Sequence, residues 1–244
     1  MADVLSRREN GVLEITLNRP DQGNGATDEM ALEVTRLIGE ASEDGTQCIV
    51  LRGAGSDFCI GRATMGQPQP PGPVEAQVRK RANDVIFNTY GAIRNSLVPV
   101  IGVVQGRALG FGCAVAAVCD ITLASDRATF QVPEMGHHIL PTMVMSSFID
   151  RVPRKAFTYL VYSTAVVSAE RALSYGIVSD VVPAAELEER VAATVAAILT
   201  APPIAVRGVK EYAKTAFGMS TQGAIDFARN IHAVVNSSSE MRPK

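Results

Sequence analysis

Two stretches of this 244-residue chain share one layout. CIVLRGAG leading to FCIGRA, and VIGVVQG leading to RALGFGC, each run from an apolar strand into a turn of small residues. Glycine in such a turn lets the backbone come close to a second object. In the second stretch a helix follows the glycines at once, so its unpaired N–H groups and positive dipole end would face whatever occupies the turn. One N–H from each turn, converging on a carbonyl oxygen, would stabilise an enolate or a tetrahedral intermediate; losing one such donor typically costs about 3 kcal/mol of barrier. Tight packing of a strand against its neighbours asks for the same glycines. The pattern alone leaves both readings open.

The second turn and its helix, ALGFGCAVAAVC, carry no carboxylate or imidazole before Asp120. GFGCAV there shares two glycines with a dinucleotide-binding turn, but its third small position is Val115 and no acid is placed for a ribose. A phosphate loop of the GxxxxGK[ST] type is absent, and so is a GxSxG nucleophile elbow.

The elements that must position these turns are readable in outline. VLEITLNRP alternates as a strand and stops at Pro20. DQGNGATD is a loop in which Thr27 or Asp28 would cap the next helix, whose apolar face runs through Met30, Val34, Leu37, Ile38 and Ala41. QCIVLRG and PVIGVVQG are continuous apolar runs, the mark of strands buried on both faces. Between them lies GAGSDFCIGRATMGQPQPPGP, a loop long enough to suggest function. A helix is expected over 74–95, with a stripe through Val78, Val85, Ile86 and Ile93. A short strand over 120–124 follows the second helix, and ASDRATFQVPE reads as a turn. Helices are expected over 142–149, 154–163 and 169–175, then a last strand in IVSDVV, then helices from 184 to 235 broken at Pro202 and Pro203. Strands alternating with helices predict an α/β fold with mainly parallel pairing and a helical C-terminal part.

Composition sets outer bounds. The chain is 47% apolar and 20% charged, enough for a sizeable core in one domain or one domain with an appended element. A formal charge of −2 argues against a nucleic-acid surface. Cys48, Cys59, Cys113 and Cys119 form no CxxC pair, and with the scattered histidines they make no metal-binding pattern, so buried reduced thiols are expected. MADVLSRREN lacks a secretory leader's basic and apolar blocks, and no apolar run approaches the roughly 20 residues needed to cross a bilayer. A cytoplasmic protein with no membrane partner is the expectation.

The order LNRP…N, FCIGRA, GRALGFGCAVAAVCD, ATFQVPE and AERALSYGIVSDVV resembles the crotonase (enoyl-CoA hydratase/isomerase) superfamily, over roughly residues 11 to 235. The resemblance implies a repeated ββα spiral core with an acyl-CoA site over 1–183. A helical trimerisation region would follow over 184–244, shorter than is usual, in a homotrimer or dimer of trimers. An acyl-CoA thioester would bind between the two turns, with coenzyme A as part of the substrate, no permanently bound cofactor and no metal. The backbone N–H groups of Arg62 and Phe111 match the family's oxyanion donors. Gly23, Gly25, Ile60, Gly61 and Ala63 would line the substrate on one side, and Gly110, Pro133 and His138 on the other.

The family's hydratases carry two catalytic glutamates. The first position is Ala114 here, and the second is Glu134. A single carboxylate suffices to take a proton from one carbon of an enoyl thioester and return it two carbons along. The expected reaction is therefore double-bond isomerisation, as in the Δ3,Δ2-enoyl-CoA isomerases that this pattern resembles. Phe130, Val132, Met135 and Ile139 are expected to desolvate Glu134 and raise its pKa. Hydration is the alternative, with His138 as the second group, while His137 reads as a surface residue. A non-catalytic CoA-ester binder is a further alternative, and hydrolysis or decarboxylation through the same turns also stays open.

Several positions depart from the family pattern. His138, Thr142 and Met143 stand where glycines are common, and Asp21 stands where a basic residue often lies near the adenine. Arg19, Arg62, Arg79 and Lys80 are candidate phosphate partners. The sequence ends at NSSSEMRPK, about where the family begins a last helix that often contributes to CoA binding, and none is carried over.

Overall fold

Asn10 and Gly11 both take positive φ, 50° and 79°, the backbone of a two-residue hairpin turn. In the computed structural model, which describes residues 2–41, 43–64 and 84–242, they fold β1 (Val4–Glu9) back onto β2 (Val12–Leu17). β1 is polar and nearly all exposed, so it carries no apolar signal of its own. Thr27 caps α1 (Asp28–Glu40), accepting the Met30 N–H at 3.2 Å. The apolar runs become β3 (Cys48–Gly53) and β4 (Val100–Val104), with α2 (Asp84–Asn95) between them. The part of the expected 74–95 helix before Asp84, and with it Val78, Arg79 and Lys80, lies outside the described residues.

The chain then leaves the main sheet through β5 (Arg107–Leu109) and α3 (Phe111–Val118) and returns as β6 (Ile121–Ser125). β7 (Thr129–Gln131) corrects the reading of ASDRATFQVPE as a turn. It pairs parallel with β5 and antiparallel with β8 (Val167–Ser168) in a small second sheet. Strands of two or three residues show no periodicity; only their partners make them strands. α4 (Thr142–Phe148), α5 (Arg154–Ser163), α6 (Ala169–Ser174) and β9 (Asp180–Val182) follow close to expectation. α7 (Leu187–Thr200), α8 (Pro203–Thr215) and α9 (Thr221–Ser237) complete the helical C-terminal region. The main sheet has the order β1-β2-β3-β4-β6-β9, parallel from β2 onward.

Both faces of that sheet are covered, as its unbroken apolar strands require. On one side Ile49, Leu51 and Val100 join α1, α2 and α3 in the main core. On the other, Val50, Ile101, Val103 and Leu123 pack with Leu187 and Val191 of α7. Every residue of α3 is buried, so this helix has no wet side.

A buried ion pair ties α8 to the sheet. Lys210 of α8 is 5% exposed, and its Nζ donates to both Asp120 oxygens at 2.8 and 2.7 Å and to the Ile93 carbonyl at 2.9 Å. Asp120 in turn accepts the Val100 N–H at 2.8 Å, so it joins the end of α3, the start of β4 and α8. Desolvation pulls the Lys210 pKa down, and the Asp120 charge opposes it. Removing one member strands the other, a loss typically of about 3–5 kcal/mol. Asp120→Ala is expected to lower unfolding stability by about that amount in urea titrations. Asp120→Ala combined with Lys210→Met is expected to recover most of it.

Candidate active site

The two glycine turns meet backbone to backbone. Leu109 N donates to the Cys59 carbonyl at 2.9 Å, and Cys59 N donates to the Arg107 carbonyl at 3.1 Å. A Cβ on Gly112 would lie 2.1 Å from that same Cys59 oxygen, so no side chain fits there. Past Cys59, the first turn pairs with Ala26, which donates to the Gly61 carbonyl at 2.8 Å and accepts the Ala63 N–H at 2.9 Å. Arg62 sits between those two bonds in a parallel bridge, and its own N–H therefore faces away from Ala26. In the second turn Gly110, at φ 50° and ψ −113°, swings the chain from β5 into α3. Phe111 is the first residue of that helix, so its N–H has no acceptor within the helix.

The loop before α1 closes one flank. Asn24 is fully buried; its Oδ1 accepts the Arg19 N–H at 2.9 Å, and its Nδ2 donates to the Ala54 and Asp57 carbonyls at 2.8 and 2.7 Å. The Gly23 carbonyl accepts the Ile60 N–H at 3.0 Å, and a Cβ on Gly23 would meet the Ile60 side chain at 2.9 Å. Gly25, Ile60, Arg62 and Ala63 line a cavity of about 320 Å³ together with Gln22 and His137. Of the candidate phosphate partners, Arg19 is committed to this loop through the Gly25 carbonyl at 3.0 Å. Arg62 pairs with Asp28, while its Nη1 is buried without a partner among the described residues.

Glu134 opens a single 3₁₀ turn, Glu134–His137, directly after Pro133. It is 6% exposed, and its Oε2 has no hydrogen-bond partner among the described residues. Desolvation pushes the carboxyl pKa up, against its own backbone N–H, which favours the charged form. The walls differ from the expected set. Phe130 and Val132 are fully buried, but Met135 and Ile139 are 38% and 42% exposed and lie on the outer surface. The groups that feel the Glu134 charge are instead Tyr90 and Cys113.

Tyr90 is the residue missed from sequence. It lies on α2, 3% exposed, with its ring stacked on Phe111 at 5.8 Å between centroids. It falls one helical turn after Ile86, on the apolar face already recognised, so helical spacing alone places it inward. Both histidines are exposed, as expected for His137; His138 takes φ 58° and ends the 3₁₀ turn, and it is His137, not His138, that borders the cavity. Ala114 is fully buried, and α3 has no carboxylate. All four cysteines are free and buried, and burial raises the Cys59 thiol pKa to about 11. The arrangement thus offers one desolvated carboxyl with a raised pKa, able to act as base and then as acid, beside two turns with outward N–H groups.

The chain matches the sequence profile of the enoyl-CoA hydratase/isomerase family over residues 7–243. A probable enoyl-CoA hydratase of Mycobacterium bovis is 30% identical over 238 residues, covering 93% of this chain and 87% of that protein. Human enoyl-CoA delta isomerase 2 is 31% identical over 207 residues, covering 83% of this chain and 52% of the isomerase. The crystal structure of an enoyl-CoA hydratase from Mycobacterium smegmatis matches with a TM-score of 0.91 at 26% identity, over 98% of this chain and 93% of that one. Hydratase and isomerase stand at similar distances, so identity does not choose between the two reactions. A profile match along almost the whole length, joined to this degree of structural likeness, places the chain in the enoyl-CoA hydratase/isomerase family as an enzyme of that type with the crotonase fold.

Proposed function

We propose that the protein binds an enoyl-CoA thioester between the two turns and moves its double bond. The thioester oxygen accepts the backbone N–H groups of Arg62 and Phe111. The Glu134 carboxylate takes a proton from C2 of a 3-enoyl thioester, and the electron pair delocalises through the double bond to the held oxygen as a dienolate. Protonated Glu134 then returns the proton to C4, leaving the 2-enoyl thioester and the carboxylate. The observation that carries this reading is the buried, unpartnered Glu134 carboxyl with its raised pKa, set against a carboxylate-free α3. Coenzyme A enters and leaves with the substrate. His138, exposed in a left-handed turn, lends no support to hydration through a second group at that position.

The C-terminal helices support assembly into a trimer or a pair of trimers in the same reading. Val209 of α8, Phe217 just beyond it and Val234 of α9 are 70%, 86% and 67% exposed, an apolar surface that a second copy would cover. A cytoplasmic location belongs to this proposal on the plain composition noted above.

Incubation in deuterated water with hex-3-enoyl-CoA tests the chemistry. The wild type is expected to give the 2-enoyl product with deuterium at the exchanged carbons. Glu134→Gln is expected to lose at least about 100-fold of this turnover while holding CoA esters nearly as well. Full activity in that variant would remove the assignment, and chirally pure 3-hydroxyacyl-CoA formed from a 2-enoyl-CoA would move it to hydration. In the wild type, kcat/KM is expected to rise with pH through an apparent pKa above the ordinary carboxylate value of about 4.3, because the base form must be ionised.

Stability should run the other way. A carboxyl whose folded pKa is raised stabilises the fold fully only below its unfolded value, and that contribution is lost as pH rises through the raised value. Glu134→Gln is therefore expected to melt at the same or a higher temperature than the wild type at pH 7, with the difference vanishing below about pH 4. Melting curves at the two pH values check it.

A further inference from the structure

We propose that the Tyr90 hydroxyl reads the acyl chain, donating a hydrogen bond to an acceptor oxygen on it. The preferred thioesters then carry a carbonyl, hydroxyl or carboxylate oxygen a few bonds from the thioester carbon. This inference rests on the thioester site proposed above.

The hydroxyl is nine-tenths buried and more, at 3% residue exposure, and has no hydrogen-bond partner among the described residues. Buried phenols almost always find a partner, because stripping water from the hydroxyl without replacing it is costly. An orphan of this kind points to a partner that arrives with a ligand. Its position says which ligand. The ring stacks on Phe111, whose N–H is assigned to the thioester oxygen, and the groups that act electrostatically on the hydroxyl are Glu134, Cys59, Cys113 and Arg62. All of them belong to the two turns, the first turn of α3 or the Glu134 turn.

Tyr90 and Glu134 do not satisfy each other. Both Tyr90 Oη and Glu134 Oε2 are without partners among the described residues, and the Glu134 charge acts on the phenol. Each is buried with a hydrogen bond left to make, which a ligand held at the two turns could complete. Burial, first, and then the Glu134 charge hold the phenol well above its ordinary pKa, so it stays protonated and serves as a donor, not a base. With the proton shuttle left to Glu134 and the thioester oxygen held by two amides, the position of this donor beside Phe111 and under the influence of Glu134 favours an oxygen on the acyl side over one on the coenzyme. A purely hydrocarbon chain would leave the hydroxyl stranded.

Calorimetric titration with acetoacetyl-CoA, 3-hydroxybutyryl-CoA and butyryl-CoA tests the idea on the wild type and on Tyr90→Phe. The wild type is expected to bind at least one of the two oxygenated esters about tenfold or more tighter than butyryl-CoA, the scale of one satisfied buried donor. Tyr90→Phe is expected to lose that preference, hold butyryl-CoA within about twofold and melt no lower than the wild type, since it removes only an unpaired group. Equal wild-type affinities, a preference that survives in Tyr90→Phe, or a drop in melting temperature with all affinities falling together would each overturn the proposal. Failure of all three esters to bind would instead sink the thioester reading beneath it, and the two failures are thus told apart.

Discussion

The carbonyl oxygen of Cys59 accepts Leu109 N–H at 2.9 Å and occupies the space that any Cβ on Gly112 would need, 2.1 Å away. Through that one oxygen the β3 turn and the β5–α3 turn are pinned to each other. Arg62 lies three residues along one branch and Phe111 two residues along the other, so their N–H groups inherit a fixed relation. The remaining elements secure the branches. Ala26 brackets Arg62 with two hydrogen bonds, Gly110 donates to the Gln131 carbonyl at 2.9 Å, and Asn24 clamps the loop beside them. Main-chain groups held this way need no reorganisation when charge develops on a substrate, which is where electrostatic preorganisation gains its effect.

Around these pinned turns three buried polar atoms have no hydrogen-bond partner among the described residues: Glu134 Oε2, Tyr90 Oη and Arg62 Nη1. Each such group costs stability, on the order of 1–3 kcal/mol for a neutral one. Away from the site Gln47 Oε1, Arg52 Nε and Arg151 Nε also lack a hydrogen-bond partner among the described residues, while other buried charges are fully met. Lys210 finds three acceptors, and Asp57 takes the Arg107 guanidinium through both of its oxygens at 2.8 Å. What sets the three at the site apart is that they gather around the two turns, where a ligand could complete them. A fully buried α3 and a sheet covered on both faces supply the apolar burial that offsets the loss.

What the sequence disclosed follows from which signals are local. The continuous runs CIVLRG and VIGVV announce buried strands because their burial on both faces is written into consecutive residues. β7 and β5 were hidden because three residues become a strand only through partners distant in sequence. β1 was readable after all: Asn10-Gly11 is a hairpin signal, overlooked because the strand it serves is polar. Side-chain direction was harder still. Met135 follows Glu134 yet points outward, because a 3₁₀ turn sends neighbouring side chains to different sides, and Ile139 lies beyond the turn on the surface. The same turn leaves both histidines exposed and puts His137, not His138, at the border of the cavity. Tyr90 was concealed differently, by lying about forty residues before Glu134 on another element, where no motif joins the two.

The absence of an acid on α3 is best understood from packing. Ala114 is fully buried within a helix that has no exposed face, so a carboxylate at that position would need a partner able to repay its desolvation. Small residues there let the helix lie close to its neighbours, and its N-terminal N–H groups remain available at the turn. In the proposed isomerisation proton transfer falls to Glu134 alone, whose raised pKa suits a group that must both remove and return a proton. A carboxyl asked only to stay ionised would gain from more hydrogen bonds; one asked to shuttle gains from having few. The unpartnered oxygen is therefore what a reaction run by a single acid–base group requires, and the chemistry follows from which bonds the fold declines to make.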